Sequence, residues 1–408
     1  MNEHADWIVK AIDTIAKTAI KGNEYWRATY TPQDADAVFQ LKKYMEEAGM
    51  ETYFDAVGNL FGRIPGRMPD TILSGSHRDT VRHGGKYDGM LGILTSIRAV
   101  SSLIQELGQP KKSIEVVALC EEESSRFPTN YLGSRHICGL LKEEELQDTD
   151  DTGVSLREAI KNAGYLQEPL STGREDLCHF VELHIEQGGL MEYEEKQIGV
   201  VSAIVGLFTG EIVFKGHQNH AGTTPMRLRK DPVPVATEYI CRLHQWAKQY
   251  QDDVVCTVGK INVQPGNANV IGESVSISFD IRSAKQKYLD EAQAVTEQLK
   301  RALQGDIEIC IYTSCMESPV SLDMNGIHII ETLAEKQGAS WKTMVSGAGH
   351  DSQIMAQKYK TNMIFVPSVG GISHSPLEYS KMDDIGHGYL LLKAFLREIA
   401  WGHEEEKA

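Results

Sequence analysis

Four short apolar runs in this chain stop at residue types that bind divalent cations. The run 71–76 ends in His77, 114–119 leads into Glu121, Glu122 and Glu123, 180–183 ends in His184, and 363–366 passes through a glycine turn to His374. Asp88 lies in the turn Gly-Gly-Lys-Tyr-Asp-Gly, just ahead of a helix-like stretch. Imidazoles and carboxylates without a thiolate suit zinc, manganese or a similar ion in a catalytic site. In open α/β sheets, ligands bind beyond the carboxyl ends of the strands, so residues distant in sequence can meet there. His77, Asp88, the glutamate triplet, His184 and His374 are therefore candidates for one two-metal centre.

Each segment also has an ordinary structural role open to it. If the strand continues past His77, Asp79 shares its face and its carboxylate can accept the imidazole N–H, while Arg78 points away. The same residues would serve as a surface histidine and a turn aspartate. Three adjacent carboxylates repel one another. A cation would offset that repulsion, with one glutamate as ligand and another as general base on water. A solvated acidic loop is the alternative, and the residues alone do not tell ligand from base. Glu182 and His184 share a face at the end of what reads as a half-buried strand, where a core histidine bonded to a carbonyl is the plain reading. His374, in a turn-rich segment, also fits an exposed loop. Further on, GHQNHAGTTP gathers His217, Asn219 and His220, QPGNANVIG carries Asn267 and Asn269, and Arg282 closes a strand-like run. Arg282 can clamp a carboxylate bidentately or pair with a surface aspartate, and the asparagines also suit turns. The joint placement of the candidates at separate strand ends is what favours chemistry.

These residues need a scaffold, and 408 residues are enough for two domains. Hydrophobic content of 41% and charged content of 24% are ordinary for a globular protein. A net charge of −16 argues against a nucleic-acid or anionic-membrane surface. The seven cysteines form no CxxC pair and are expected to be reduced thiols. The first 22 residues have helical spacing without a signal-peptide core, and no stretch approaches the about 18 apolar residues of a membrane helix. A cytoplasmic protein is expected. Residues 1–207 alternate strand-like and helix-like segments, including a helix from Met90 that stops at Gly108. The pattern then changes to strand 210–215, helix 232–251, strand 254–263, strand 274–282, helix 288–304 and strand 307–314. That βαββαβ order is the ferredoxin-like split motif. The fold expected is α/β: a mixed-sheet catalytic domain with helices on both faces, from 1–207 and 320–408, with the ferredoxin-like domain 208–319 inserted. The tail HEEEKA is expected to fray.

With these motifs in view, the chain resembles the allantoate amidohydrolase and N-carbamoyl-L-amino-acid hydrolase family of the dinuclear-metal aminoacylase and carboxypeptidase superfamily. The segments that carry the resemblance are GSHRDTVRHGGKYDG, EEESSRFPTNYLGS, ELHIEQGG, GHQNHAGTTPM, PGNANVI, FDIRS, SGAGHDSQ and PSVGGISHSP, in that order over most of the chain. The resemblance implies two divalent ions per subunit, zinc or manganese with cobalt as an alternative. Asp88 would bridge them, His77 and His184 completing one set of protein ligands and Glu123 and His374 the other. It implies Glu122 as general base, Asp79 as the residue orienting His77, and Gln187, His220, Asn269 and Arg282 as substrate contacts. His220 would reach the site of a partner subunit, the inserted domain being a homodimerisation domain. The implied substrate is a small ureide bearing a carboxylate, either allantoate or an N-carbamoyl-L-amino acid. The polar set Gln187, Asn219, Asn267 and Asn269 leans towards allantoate, which carries two ureido groups. A non-catalytic ureide- or metal-binding relative would be expected to lack the base or a ligand. Two departures stand out: Arg78 replaces a usually apolar residue, and SPLEYS follows His374 where Asn-Pro-x-Glu is more usual.

Overall fold

A computed structural model describes residues 2–21, 24–165, 170 and 172–402; the tail HEEEKA lies outside the described residues. The chain forms two compact units, Met1–Ser202 with Ser321–Ala408, and Ala203–Val320.

The first unit is built on a nine-stranded mixed sheet. Its centre is four neighbouring parallel strands, in the order Lys360–Val366, Leu177–Ile185, Met68–His77 and Lys112–Leu119. Antiparallel strands continue the sheet on both sides, Leu60–Ile64 and Glu51–Phe54 on one and Ile198–Ile204 on the other. Alternation along the strands sorts their side chains between two cores. Ile72, Val116 and Val181 face the helices Asn2–Ala16, Met90–Leu107, Met324–Gln337 and Met382–Leu396. Leu73, Val117 and Phe180 face Leu132–Cys138 and Asp351–Met355. Strands covered on both faces read as near-continuous apolar runs. The strand Leu177–Ile185 is accordingly buried along almost its whole length, not half-buried as its alternation suggested.

The helix Met90–Leu107 ends at Gly108, whose φ of +69° suits a residue without a Cβ. It also corrects the expectation about membrane-length segments. Its 18 residues are long and apolar enough by length and composition to cross a membrane, and 72% of that window is buried inside the protein. Its apolarity is that of a helix wrapped by other helices and the sheet.

The second unit orders its sheet as Val255–Thr257 with Ile261–Gln264, then Ser274–Ser283, Gly206–Lys215 and Glu308–Glu317, all antiparallel. The helices Pro232–Lys248 and Gln286–Leu303 pack their apolar residues on one face, over Phe208, Ile212, Phe214, Ile277 and Phe279. This is the ferredoxin-like arrangement, with one local correction. The run expected as a single strand over 254–263 is broken: the three residues between Thr257 and Ile261 oppose the two between Asp280 and Ile277. The extra residue makes a bulge, closed by bonds from Lys260 N–H to Ser278 Oγ (3.0 Å) and from Ser278 N–H to Lys260 O (3.1 Å). All seven cysteines of the chain are free.

Arg78 is wholly buried beside the strand end at His77, and its partner is Asp34 in the first turn of the helix Pro32–Glu47. The guanidinium donates to Asp34 Oδ1 (2.7 Å) and Oδ2 (3.2 Å), and also to the carbonyls of Gly58 (3.0 Å) and Ala118 (3.2 Å). Removing one partner of a buried pair strands the other charge, at a cost of about 3–5 kcal/mol. Asp34→Ala is therefore expected to lower unfolding free energy by about that amount in a urea titration. A change below about 1 kcal/mol would show that the pair does not hold this helix to the strand end.

Candidate metal centre

The four parallel strands all present their carboxyl ends on one edge of the sheet, and each supplies part of one cluster. His77 is the last residue of its strand, and His184 is the penultimate residue of Leu177–Ile185. The glutamate triplet follows Lys112–Leu119, and His374 lies in the loop after Lys360–Val366. Asp88 comes from the turn before Met90–Leu107. Gly89 lets that turn close: its φ is +66°, and a Cβ there would lie 2.3 Å from the His77 carbonyl oxygen.

The two carboxylate oxygens of Asp88 face different partners. Oδ1 lies 3.0 Å from His77 Nε2 and 3.2 Å from His184 Nε2. Oδ2 lies 3.4 Å from His374 Nε2, whose ring is also 3.1 Å from Glu123 Oε1. Ligand atoms of His77, Asp88 and His184 fall within 4.8 Å of one another, as do those of Asp88, Glu123 and His374, and of His77, Glu122 and Glu123. Four dispersed candidates, His77, His184, Glu123 and His374, are thus gathered about one aspartate. Both buried rings use Nδ1 on backbone carbonyls, His77 on Asp79 O (3.1 Å) and His184 on Ile185 O (2.9 Å), which turns Nε2 towards Asp88. Asp88 Oδ1 is buried and, among the described residues, has those two imidazole nitrogens beside it but no well-formed hydrogen bond. A charged oxygen in that position is costly without a cation. The all-nitrogen-and-oxygen donor set fits two ions of the zinc or manganese kind.

The glutamate triplet divides into separate jobs. Glu121, at φ +51°, turns its carboxylate back into its own loop. There it accepts the N–H groups of Arg126 (2.7 Å) and Phe127 (2.8 Å) and the Ser125 hydroxyl (2.7 Å). Glu122 and Glu123 are left facing the histidines. Asp79 acts differently from the expectation drawn for it. The strand stops at His77, so strict alternation does not carry on to Asp79. Its carboxylate is 3.8 Å from His77 Nδ1 and instead accepts the N–H groups of Glu122 and Glu123, each at 3.1 Å. It is the Asp79 carbonyl that orients the ring, while the carboxylate fixes the glutamate turn.

Electrostatics follow from this crowding. Burial pushes Glu122 well above the usual carboxylate range; His77 opposes the shift, and Glu123, Asp351 and Asp79 add to it. Burial would also raise Asp88, but His184, His374 and His77 hold it well below its ordinary value. Hydrogen bonds to Asp88 and Glu123 raise His374 to about 10.

Gln187 donates from Nε2 to Asp88 Oδ2 (2.7 Å), so it belongs to the cluster. His220, Asn269 and Arg282 belong to the second unit. His220 and Asn269 are exposed and adjacent: Asn219–His220 pairs with Val270–Ile271, and Ala221 N–H donates to Asn269 O (3.0 Å). Arg282 is engaged by Asp280 through two bonds of 2.8 and 2.9 Å. Residues to which the sequence reading gave no role in the site also support the centre. Glu182 accepts the hydroxyls of Ser76 and Ser352, both at 2.7 Å, tying the His77 and His184 strands together. The His350 ring packs edge-on against His184 at 4.6 Å. Glu378, in SPLEYS, accepts the N–H groups of Tyr87 (2.8 Å) and Asp88 (3.0 Å). The signal for Glu378 was only a carboxylate four residues after His374, which any loop can carry.

In the metal-free protein His374 is raised from 6.5 to about 10, so at pH 7.5 it holds a proton that a cation must displace. Zinc titrated calorimetrically at that pH in two buffers of different ionisation enthalpy should therefore release at least one proton per subunit. Affinity should rise with pH up to about 10. Heats that are independent of buffer would show that His374 is not displaced from a protonated state.

Comparison with known proteins agrees with the geometry. Residues 72–398 match peptidase family M20/M25/M40. The chain is 39% identical over 381 residues to the allantoate amidohydrolase of Bacillus subtilis (strain 168), covering 92% of each. It is 36% identical over 397 residues to the N-carbamoyl-L-amino-acid amidohydrolase of Pseudomonas sp. (strain NS671), covering 94% of this chain and 95% of the relative. The solved structure of an amidase of the hydantoinase/carbamoylase family from Burkholderia multivorans superposes with a TM-score of 0.92 at 29% identity, covering 98% of both chains. The chain therefore belongs to peptidase family M20/M25/M40 and, within it, to the allantoate amidohydrolase and N-carbamoyl-L-amino-acid amidohydrolase family of metal-dependent hydrolases that cleave carbon–nitrogen bonds other than peptide bonds.

Proposed function

We propose that this protein hydrolyses a ureido C–N bond of allantoate, releasing ammonia and leaving a carbamate that breaks down to the amine and carbon dioxide. The observation that carries the reading is a buried glutamate, Glu122, within one cluster with His77 and Glu123, each of which also clusters with Asp88. His77, Asp88 and His184 would hold one divalent cation, and Asp88, Glu123 and His374 the other. The pair supplies Lewis acidity, which polarises the ureido carbonyl and eases removal of a proton from water. Glu122 takes that proton as the water oxygen bonds to the ureido carbon, and returns it to the nitrogen as the C–N bond breaks. His220 suits a donor to the developing oxyanion. Its Nδ1 accepts the N–H groups of Gly222 (3.0 Å) and Thr223 (3.1 Å), which leaves the ring proton on Nε2. Arg282, oriented by Asp280, would take the substrate carboxylate.

The polar set Gln187, Asn219, Asn267 and Asn269 favours allantoate, whose two ureido groups need several partners. The second reading is an N-carbamoyl-L-amino acid, supported by the 36% identity to the Pseudomonas enzyme. With zinc or manganese supplied, allantoate should yield ammonia at a rate well above the free amino acid formed from carbamoyl-methionine. The reverse order would select the second reading. Glu122→Gln is expected to keep both ions and lose about 100- to 10,000-fold in kcat. Retention of most turnover would remove Glu122 as the base.

We further propose a homodimer through the second unit, a reading that the spacing within that unit supports. The Asn219–His220 ladder attaches near Ser274, whereas Arg282 stands at the far end of the strand Ser274–Ser283. Eight residues at about 3.3 Å each separate those ends by about 26 Å, more than a small ureide spans. Two copies can supply what one cannot, with His220 from one subunit and Arg282 from the other. Mixing His220→Ala with Glu122→Gln subunits should then create one intact site per heterodimer and restore activity that neither variant has alone. Verified heterodimers that stay inactive would contradict the shared site.

A further inference from the structure

We infer that Glu378 is a positioning residue for cation binding: it holds Asp88 in its bridging pose through two backbone N–H groups and the Ser373 hydroxyl. The inference rests on the two-cation reading above and extends it to a residue outside the ligand set.

Glu378 is buried and spans two loops that no secondary structure joins. Its Oε1 accepts from Tyr87 N–H (2.8 Å) and Asp88 N–H (3.0 Å), which fixes the backbone that carries the bridging carboxylate. Its Oε2 lies 3.0 Å from Ser373 Oγ, and Ser373 lies 3.0 Å from Asp88 Oδ2. Ser373 immediately precedes His374. One side chain therefore links the Asp88 turn to the loop that presents the third histidine. Without it, the relative position of Asp88 and His374 would rest on the Ser373 and Gln187 bonds to Asp88 Oδ2, and the Asp88 backbone would lose its anchor. Partners of this kind, which hold a ligand without touching the ion, typically change metal affinity about 10- to 100-fold when removed.

Gly85 gives independent support. A Cβ at this position would lie 2.1 Å from Glu378 Cδ and 2.1 Å from Oε1. The second glycine of Gly-Gly-Lys-Tyr-Asp-Gly is thus the floor on which the Glu378 carboxyl group rests. Gly85→Ala should displace that group while leaving the glutamate in the chain.

An amide can reproduce these bonds. In Glu378→Gln, Oε1 still accepts the two backbone N–H groups. Nε2 donates to Ser373 Oγ, whose own proton is then committed to Asp88. Position is kept although the charge is gone.

The test measures Zn²⁺ affinity of metal-stripped protein by competition with a chromophoric chelator, with circular dichroism and thermal unfolding as fold controls. Glu378→Ala and Gly85→Ala should each weaken binding about 10-fold or more, and Glu378→Gln should stay within about threefold of the unmodified protein. Unchanged affinity in a folded Glu378→Ala would overturn the inference. So would Glu378→Gln falling as far as alanine, since charge and not position would then be what matters. If Glu378→Ala fails to fold, Gly85→Ala decides the question alone. Failure of the unmodified protein to bind two ions would instead sink the two-cation reading.

Discussion

Asp88 sits almost fully buried between three imidazoles, with one oxygen facing His77 and His184 and the other facing His374. A buried carboxylate is tolerable only where positive charge or donors surround it. Much of the local architecture meets that condition. The parallel strands deliver two histidines at adjacent ends, Gly89 lets the turn reach them, and Gln187 and Ser373 satisfy the outer oxygen. The inner oxygen has no well-formed hydrogen bond among the described residues, which makes it the natural seat for a cation.

Crowding acidic groups at one sheet edge would be unstable if all were used alike. The chain separates them by backbone conformation. Glu121 folds back at positive φ onto its own loop, Asp79 accepts two amides of the same turn, and Glu182 is locked by two serines behind the sheet. Glu122 and Glu123 remain beside the histidines. Four carboxylates thereby serve the framework so that a few can serve chemistry, counting Glu378 among the four.

The ion pair of Arg78 and Asp34 belongs to the same economy of buried charge. Arg78 follows His77 directly and would disturb the strand end if left unpaired in the core. Asp34 reaches it from a helix 44 residues earlier and also accepts the Tyr30 N–H (3.0 Å). The departure from an apolar residue at this position is therefore matched by a complete set of partners, on the face away from the candidate ligands.

Local pattern was enough to read much of this protein. Apolar runs leading into histidine or glutamate marked the parallel strands, because a strand covered on both faces is mostly apolar until it leaves the sheet. Alternation and helical spacing marked the second unit, because one covered face suffices there. Contacts between distant segments were not readable in the same way. Nothing near Arg78 names Asp34, nothing in SPLEYS names the Asp88 amides, and three identical glutamates carry no mark of which turns inward. The break at 258–260 escaped for the same reason, since a bulge depends on the register of the partner strand. Sequence determines which residues can do chemistry and which elements form. Only the folded chain decides which oxygen meets which nitrogen, because that depends on dihedral angles and neighbours supplied from elsewhere in the chain.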